Sequence, residues 1–158
     1  MERSTADLMD ELDDRLATCD VQFRQFGRRL RFGGRVRTVR CHEDNVVMRD
    51  LLATDGAGQV LVVDGGGSMH AALMGDSVAR SAAAHGWSGI IVYGGVRDSA
   101  ALADIDLGIK ALGTCPRRSA KLGAGEADVP VTFGGVTFHP GAELTSDEDG
   151  LVVTATAD

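Results

Sequence analysis

The sequence has 158 residues, which is enough for one domain with a sizeable hydrophobic core. Its formal net charge of -7 argues against binding nucleic acid or anionic membranes through bulk charge, and no apolar run approaches membrane-spanning length. The start, MERSTADLMDELDD, is acidic rather than signal-like, and the three cysteines are widely spaced without a CxxC pair. We therefore expect a cytoplasmic protein with reduced thiols.

The first part of the chain predicts alternating helices and strands before any candidate site is reached. In order, these are a helix from Ser4 or Thr5 to about Leu12, a packed loop over 19–31, a strand over 34–41, a helix over 43–53 and a strand over 60–63. The second helix is expected to turn Val46, Val47, Leu51 and Leu52 inward. The loop carries four arginines, which we expect on a solvated or subunit-facing surface: Arg24, Arg28, Arg29 and Arg31.

The stretch from Gly75 to Asp98 predicts a helix followed by a returning strand. Asp76 is a preferred N-cap residue, the helix formers 78–84 follow, and residues 90–93 are a β-prone run between glycines. Together with strand 60–63 this is a βαβ unit, for which we expect a parallel pair with a right-handed crossover. Segments 64–76 and 94–98 then both lie beyond the carboxyl ends of neighbouring strands, where ligands of open α/β sheets bind.

The residues at this edge of the sheet predict a site that binds a small carboxylate beside a divalent metal. Arg97 offers a fork of donors for a carboxylate or a developing enolate oxygen, Asp98 is a hard oxygen ligand for a magnesium-like ion, and Asp76 can hold or deprotonate a water. The first-turn amides, which have no partner within the helix, can hold an anion: those near Gly75, Asp76, Ser77 and Val78. The residues alone leave a plainer alternative open, in which Asp76 is only a cap and Arg97-Asp98 only a solvated pair.

The remainder of the chain predicts a β-rich second half of one domain covering 1–158. After a short helix over 99–104, strands are expected at 107–112, 129–133, 136–138, 144–146 and 151–154. The loop over 115–125 is rich in Pro, Gly and cations, so we expect it at a subunit contact or near the anion site. Within that loop, Arg118 and Lys121 are expected to be solvated rather than catalytic.

Several common signatures are absent from the sequence. DGGGS at 64–68 is neither a P-loop nor GxGxxG, and the four histidines show no metal-ligand spacing. The acidic residues 147–149 lack the spacing of an EF-hand loop. No lysine lies within 75–98 to form an imine, which favours a metal-dependent route for chemistry at this site.

Seven motifs spread over nearly the whole chain carry a resemblance to a known family. They are TADLMD, FGGRVRTVRCHEDN, VLVVDGGGS, GWSGIIVYGGVRD, DIDLGIKALGTCPRRS, FGGVTFHPGAEL and DEDGLVV. The chain resembles the RraA-like family, which contains the regulator of ribonuclease activity A and the class II 4-hydroxy-4-methyl-2-oxoglutarate aldolases. The more specific signal is Asp76, twenty residues, then Arg97-Asp98, which is similar to the signature of the metal-dependent aldolases. The other motifs do not separate enzyme from regulator.

The resemblance implies roles for the residues that match the aldolase motif. Gly75, Asp76, Ser77 and Val78 correspond to the loop whose amides hold the pyruvyl group, Arg97 to the substrate-binding arginine and Asp98 to the metal-binding carboxylate. The implied cofactor is Mg²⁺ or Mn²⁺. The implied reaction cleaves 4-hydroxy-4-methyl-2-oxoglutarate into two pyruvates, with oxaloacetate decarboxylation as a side activity through the same pyruvate enolate.

The resemblance also implies an architecture and leaves alternative functions. The family fold is a compact β/β/α sandwich of the swivelling-domain type that assembles into trimers or pairs of trimers. A second family function is a non-catalytic regulator that binds and inhibits an endoribonuclease of the RNase E type. A third description used in this family is a methyltransferase of menaquinone synthesis. This sequence contains no recognisable pattern for an adenosylmethionine pocket.

Overall fold

A computed structural model describes residues 3–155, which form a mixed α/β single-domain fold with one large mixed sheet and few helices. The helices are α1 (Thr5–Leu12), α2 (Val46–Leu52), α3 (Asp76–Ala84) and α4 (Ser99–Leu102). The strands are β1 (Leu16–Thr18), β2 (Arg24–Gln25), β3 (Phe32–Arg40), β4 (Gln59–Asp64), β5 (Ala72–Met74), β6 (Gly89–Val96), β7 (Gly108–Thr114), β8 (Glu126–Ala127), β9 (Val131–Phe133), β10 (Val136–Phe138), β11 (Glu143–Asp147) and β12 (Gly150–Thr154). None of the helices in residues 3–155 has the length and hydrophobicity needed to span a bilayer.

The centre of the sheet is a run of parallel strands. Strands β3, β4, β6 and β7 lie side by side, with Leu61 of β4 opposite Ile90 of β6. The parallel pairing of β4 with β6 was predicted from the sequence and is confirmed. The near-continuous apolar runs of β4 and β6 are buried because the sheet is covered on both faces. The antiparallel strands β11, β12 and β1 extend the sheet beyond β3.

Two apolar cores pack against this sheet. The first contains residues of α2, α3 and α4, including Met48, Ala79 and Leu102. The second lies under the β9–β10 hairpin, where Phe133 stacks on Tyr93 of β6 with ring centroids 4.6 Å apart. The helices, the large sheet and the hairpin are therefore arranged in layers, and the predicted β/β/α fold class is confirmed.

Helix α2 begins three residues later than predicted. Glu43 has a left-handed backbone (φ 56°), and the Asp44 carboxylate accepts the N–H of Val46 at 3.1 Å. Residues 43–45 therefore form a turn that ends in the helix. The fully buried side chains of α2 are Met48 and Leu52, and the predicted inward residues Val47 and Leu51 are only partly buried.

The predicted loop over 19–31 is partly sheet, because Arg24–Gln25 pairs with β7. Its arginines lie at the surface beside acidic or aromatic partners. Arg29 contacts Asp106 at 3.3 Å, Arg31 contacts Glu148 at 3.1 Å, and Arg24 lies over the ring of Phe26. Such exposed ion pairs contribute at most about 1 kcal/mol each, and the position of the cluster at the surface agrees with the predicted solvated or subunit-facing surface.

Candidate functional site

The site lies where β5 and β6 end next to each other. The two strands are parallel, with Ala72 opposite Gly95 and Met74 opposite Val96. Helix α3 starts just after β5, and the Arg97-Asp98 turn follows β6 directly. The Arg97 N–H donates to the Met74 carbonyl at 2.9 Å, which holds the turn against the start of α3.

The first turn of α3 is capped from a distant part of the chain. Asp76 was predicted as the N-cap, but Gly75 occupies that position and Asp76 is the first helical residue. The Asp76 N–H donates to Oδ2 of Asp98 at 3.0 Å, so Asp98 satisfies a donor that the local sequence leaves free. The prediction was wrong because a carboxylate 22 residues away performs the capping.

Glycine is required at position 75 by this close approach. A Cβ atom there would collide with Oδ2 of Asp98 and meet the Arg97 Cγ at 3.3 Å. Asp98 itself has a left-handed backbone (φ 60°, ψ 40°), a conformation that aspartate tolerates better than most residues. The position of the Asp98 carboxylate is therefore determined by the left-handed backbone of Asp98 and by the space that Gly75 leaves opposite it.

The Asp98 carboxylate is held in its charged form. The hydrogen bond from the Asp76 N–H, supported by the charge of Arg97, keeps the pKa of Asp98 below its ordinary value, although partial desolvation opposes this effect. The carboxylate nevertheless remains exposed to the space in front of α3. An ionised, accessible carboxylate beside free helix amides is suited to binding both a cation and an anion.

A cavity of about 260 Å³ opens at this point. Six of its lining residues are those predicted from the sequence, so the helix start and the Arg-Asp turn converge on one space: Gly75, Asp76, Ser77, Val78, Arg97 and Asp98. The volume is just below the range of roughly 300–1,000 Å³ that is typical for drug-sized ligands, which suits a small organic acid. The roles of these residues in binding and catalysis stay predictions.

The sequence did not predict the cationic wall of the cavity. Arg49 of α2 and Arg118 and Lys121 of the 115–125 loop also line it. Lys121 donates to the Asn45 Oδ1 at 2.6 Å, and the buried Asn45 donates to the Leu73 carbonyl at 2.9 Å. The loop therefore lies beside the cavity where the anion site was predicted, which is one of the two positions expected for it.

The sequence signals that could have identified these cavity-lining residues differ in strength. The cations of the loop were visible in CPRRSAKLGAG and were expected to be solvated, and Arg118 and Lys121 are indeed exposed while they also line the cavity. Asn45 and Arg49 give no sequence signal, because an amide before a helix and an arginine on its exposed face are common. Lys121 also places an amine in the cavity from outside the 75–98 unit.

The acidic residues of the cavity fit a hard divalent cation. Asp76 and Asp98 offer carboxylate oxygens, which Mg²⁺ and Mn²⁺ prefer, and leave further coordination positions to water and substrate. Within residues 3–155 no group of three or more His, Cys, Asp or Glu side chains is arranged to hold a metal. This donor set does not provide the closed sphere of nitrogen and sulfur ligands typical of zinc.

The other polar groups singled out in the sequence lie away from this cavity. His42 and His70 line a separate groove with Glu43, whose carboxylate accepts the Ser68 hydroxyl at 2.6 Å. The DGGGS segment is a turn in which Asp64 accepts the Gly66 N–H at 2.9 Å. The bond to Asp64 is an ordinary side-chain bond of a turn, whereas the bond between Ser68 and Glu43 joins two loops 25 residues apart.

Comparisons with known proteins agree with this fold. A sequence model of the RraA-like family, described as Aldolase/RraA, matches residues 5–153. The structure described as the RNA-processing inhibitor RraA from Thermus thermophilis is 47% identical with a TM-score of 0.95, covering 100% of this chain and 96% of that one. A structure described as S-adenosylmethionine:2-dimethylmenaquinone methyltransferase from Geobacillus kaustophilus HTA426 is 44% identical with a TM-score of 0.95, covering 98% and 96%.

A more distant similarity is to RraAS2 from Streptomyces coelicolor, described as an unusual member of the RNase ES inhibitor RraA protein family. It is 27% identical with a TM-score of 0.79, and the match covers 98% of this chain and 81% of that one. The family match and these similarities extend over almost all of the residues that form the sheet and the cavity. The chain therefore belongs to the RraA-like (Aldolase/RraA) family.

Proposed function

We propose that the protein is a divalent-metal-dependent carbon–carbon lyase that cleaves 4-hydroxy-4-methyl-2-oxoglutarate into two pyruvates and decarboxylates oxaloacetate as a secondary activity. The supporting observation is the single cavity in which the start of α3, Arg97 and the ionised Asp98 meet. The match to a family that includes aldolases supports the same assignment.

The pyruvyl carboxylate binds at the start of α3. Because the Asp76 N–H already donates to Asp98, the amides left for the substrate are those of Ser77 and Val78. Both lie in the first turn, where the N–H groups have no carbonyl partner within the helix and the helix dipole favours an anion. Gly75 contributes by leaving room, since any side chain there displaces Asp98.

Arg97 stabilises the negative charge that develops on the pyruvyl keto oxygen. Its Nη1 donates to the Pro116 carbonyl at 3.3 Å, which orients the guanidinium at the cavity wall and leaves other donors for the substrate. Asp98 would hold the divalent cation, which would supply Lewis-acid stabilisation of the same charge when bound. Donors positioned in advance act most strongly where charge appears during the reaction.

The bond changes follow from this arrangement. The Asp76 carboxylate takes the proton of the C4 hydroxyl through the water that it holds, and the C3–C4 bond breaks as the C4 hydroxyl becomes the keto group of the first pyruvate. The electron pair moves onto the remaining pyruvyl fragment as its enolate, which then takes a proton at C3 to give the second pyruvate. With oxaloacetate, carbon dioxide leaves instead and the same enolate is formed.

The test is pyruvate release from 4-hydroxy-4-methyl-2-oxoglutarate and from oxaloacetate, with added Mg²⁺ or with a chelator. Wild-type protein is expected to be active only with the metal, and Asp98→Ala is expected to be inactive with both substrates. Activity that survives chelation, or that is unchanged in Asp98→Ala, contradicts the proposed mechanism.

A second candidate function is supported by the similar structures described as RNA-processing and RNase ES inhibitors. In this role the protein binds an endoribonuclease of the RNase E type through its surface and needs no metal. Wild type and Asp98→Ala should then bind the ribonuclease equally in a pull-down with purified components. Full binding by that variant, together with no pyruvate release by the wild type, favours the regulator over the enzyme.

A further inference from the structure

The candidate cavity is locally cationic in an acidic protein. Against a net charge of -7 for the whole chain, its wall carries four cationic side chains and two carboxylates: Arg49, Arg97, Arg118, Lys121, Asp76 and Asp98. The two carboxylates are already matched by one divalent cation, and Arg97 by one substrate carboxylate or enolate oxygen. Arg49, Arg118 and Lys121 then remain without a counter-charge from the proposed reaction centre.

We propose that Arg118 and Lys121, assisted by Arg49, form a second anion subsite that binds the distal carboxylate of a dicarboxylic 2-oxo acid. This inference rests on the proposed function, since it assumes that the pyruvyl end lies against α3 and Arg97. It deepens that function by naming the residues that select dicarboxylic over monocarboxylic substrates.

Lys121 is held at the wall of the cavity by its contact with a buried residue, Asn45. Asn45, only 4% exposed, accepts from the Lys121 Nζ at 2.6 Å and donates to the Leu73 carbonyl at 2.9 Å. Leu73 belongs to β5, immediately before the start of α3. Asn45 is therefore a positioning residue that ties the ammonium group to the strand on which the proposed pyruvyl site is built.

The loop that carries Lys121 is fixed on both sides of this residue. The Asn45 N–H donates to the Ala120 carbonyl at 3.3 Å, and the Asp44 carboxylate accepts the Leu122 N–H at 2.7 Å. Two adjacent residues before α2 thus hold the backbone around position 121. A preorganised cation of this kind loses little side-chain entropy when an anion binds.

These cations have few acidic partners in the part of the chain that the structure describes. Lys121 bonds to a neutral amide, Arg118 makes no ion pair there, and Arg49 has only a long 3.4 Å contact to the exposed Asp50. Burial, together with the charges of Arg49, Arg97 and Arg118, lowers the pKa of Lys121. A bound carboxylate relieves this repulsion and supplies the missing counter-charge.

The test is calorimetric binding of two matched ligands in the presence of Mg²⁺. 2-Oxoglutarate and 2-oxopentanoate have the same chain length and differ only in a distal carboxylate against a methyl group. The wild type is expected to bind 2-oxoglutarate about 10–100-fold more tightly, which corresponds to one or two charge-assisted hydrogen bonds. Neither ligand carries the hydroxyl or β-carboxylate that the lyase reaction requires, so binding is measured without turnover.

The variants are Lys121→Met and Arg118→Gln, with Arg117→Gln as the control. Arg117 is an exposed cation of the same loop that lines the neighbouring groove rather than this cavity. Each test variant should reduce the preference for 2-oxoglutarate by about 10-fold, and the double variant should reduce it to less than about 3-fold, while 2-oxopentanoate affinity stays unchanged and the control keeps the full preference. Equal wild-type affinity for the two ligands, or loss of preference in the control, overturns the subsite.

The outcomes separate the subsite from the proposed function. Equal ligand affinities in a protein that releases pyruvate contradict the subsite alone. A preserved dicarboxylate preference in a protein without pyruvate release contradicts the lyase alone. Treatment with borohydride and 2-oxoglutarate should leave Lys121 unmodified, and a reduced covalent adduct there overturns the subsite in favour of imine formation.

Discussion

Asp98 and Asp147 are both carboxylates that bond to the start of a helix from a distant part of the chain, yet their surroundings differ. Asp147 is 5% exposed, and both of its carboxylate oxygens accept hydrogen bonds. Its Oδ2 accepts the Thr5 N–H at 2.8 Å. Its Oδ1 accepts the Thr5 hydroxyl at 2.8 Å and the Asp149 N–H at 3.0 Å. Asp98 accepts one N–H, that of Asp76, and faces an open cavity. The same type of bond is thus structural at one helix and leaves a reactive group available at the other.

The difference shows that the sequence neighbourhood of an acidic residue is a poor guide to its role. The cluster 147–149 looks more like a metal loop than the single Asp98 does, but the bonds to Asp147 leave little of it for a ligand. What distinguishes Asp98 is its exposure beside first-turn amides and Arg97. Four predictions test this contrast.

The largest effect is expected for Asp98→Asn. The amide oxygen can still accept the Asp76 N–H, so the fold is retained, but the charge proposed to hold the cation is lost. We expect pyruvate release to fall by about 10²–10³-fold, the size seen when one group that stabilises developing charge is removed. Steady-state kinetics measures the loss, and thermal unfolding should show a Tm within about 2 °C of wild type. Wild-type rates in this variant would make Asp98 structural, like Asp147.

Asp147→Asn should show the converse behaviour. Whichever way the new amide is turned, its NH₂ group faces at least one N–H donor, and a buried bond to α1 or to Asp149 is lost. We expect the free energy of unfolding to fall by about 2–3 kcal/mol and the Tm by about 4–12 °C. Pyruvate release at 25 °C should remain within about 2-fold of wild type. A large loss of activity without a loss of stability would break the comparison.

Gly75→Ala is expected to reduce activity by about 10-fold, because the added Cβ pushes the Asp98 carboxylate away from its position. Gly94→Ala is the matched control: its added Cβ meets the Ser68 carbonyl oxygen at 3.4 Å and Leu73 at 3.5 Å, which are ordinary contacts. The ratio of the two rates isolates the displacement of Asp98 from any general effect of an added methyl group. Similar rates for the two variants contradict a requirement for glycine at 75.

The smallest effect concerns the dependence of stability on pH. Burial by itself raises the pKa of Asp147, but the bonds from Thr5 and Asp149 and the charge of Lys110 more than offset it, so its pKa lies below the ordinary value. The stability that ionised Asp147 contributes to the fold is therefore present above the unfolded-state pKa of about 4, and it is lost as the pH falls through the lowered pKa of the folded state. Denaturant unfolding between about pH 6 and 3 should show a flatter pH dependence in Asp147→Asn than in wild type. Identical slopes would contradict this linkage.

Much of the central architecture was predictable because its signals are local. The apolar runs at 60–63 and 90–93 are bounded by glycines, and the helix between them is short and rich in alanine, which indicates a βαβ unit. The convergence of both connecting segments on one sheet edge then follows from parallel pairing. Arg97 and Asp98 were found because they come immediately after a strand at that edge.

The features that were missed depend on contacts between distant residues. Strand β5 has only three residues, Ala72–Met74, in a segment of turns, so it shows no alternation that distinguishes it from a buried loop. The bond from Lys121 to Asn45 joins residues 76 positions apart. The N-cap of α3 was misplaced for the same reason, since Asp98 supplies a bond that local capping rules assign to Asp76.

The bond between Asp76 and Asp98 also has a kinetic consequence. It joins two segments that meet only after β5 has docked beside β6, and parallel pairing is among the slower steps in protein folding. A refolding chain should therefore recover its helical circular dichroism before it recovers any turnover. For the proposed lyase, catalytic competence is then a late marker of folding, and a lag between the two signals is measurable by stopped-flow.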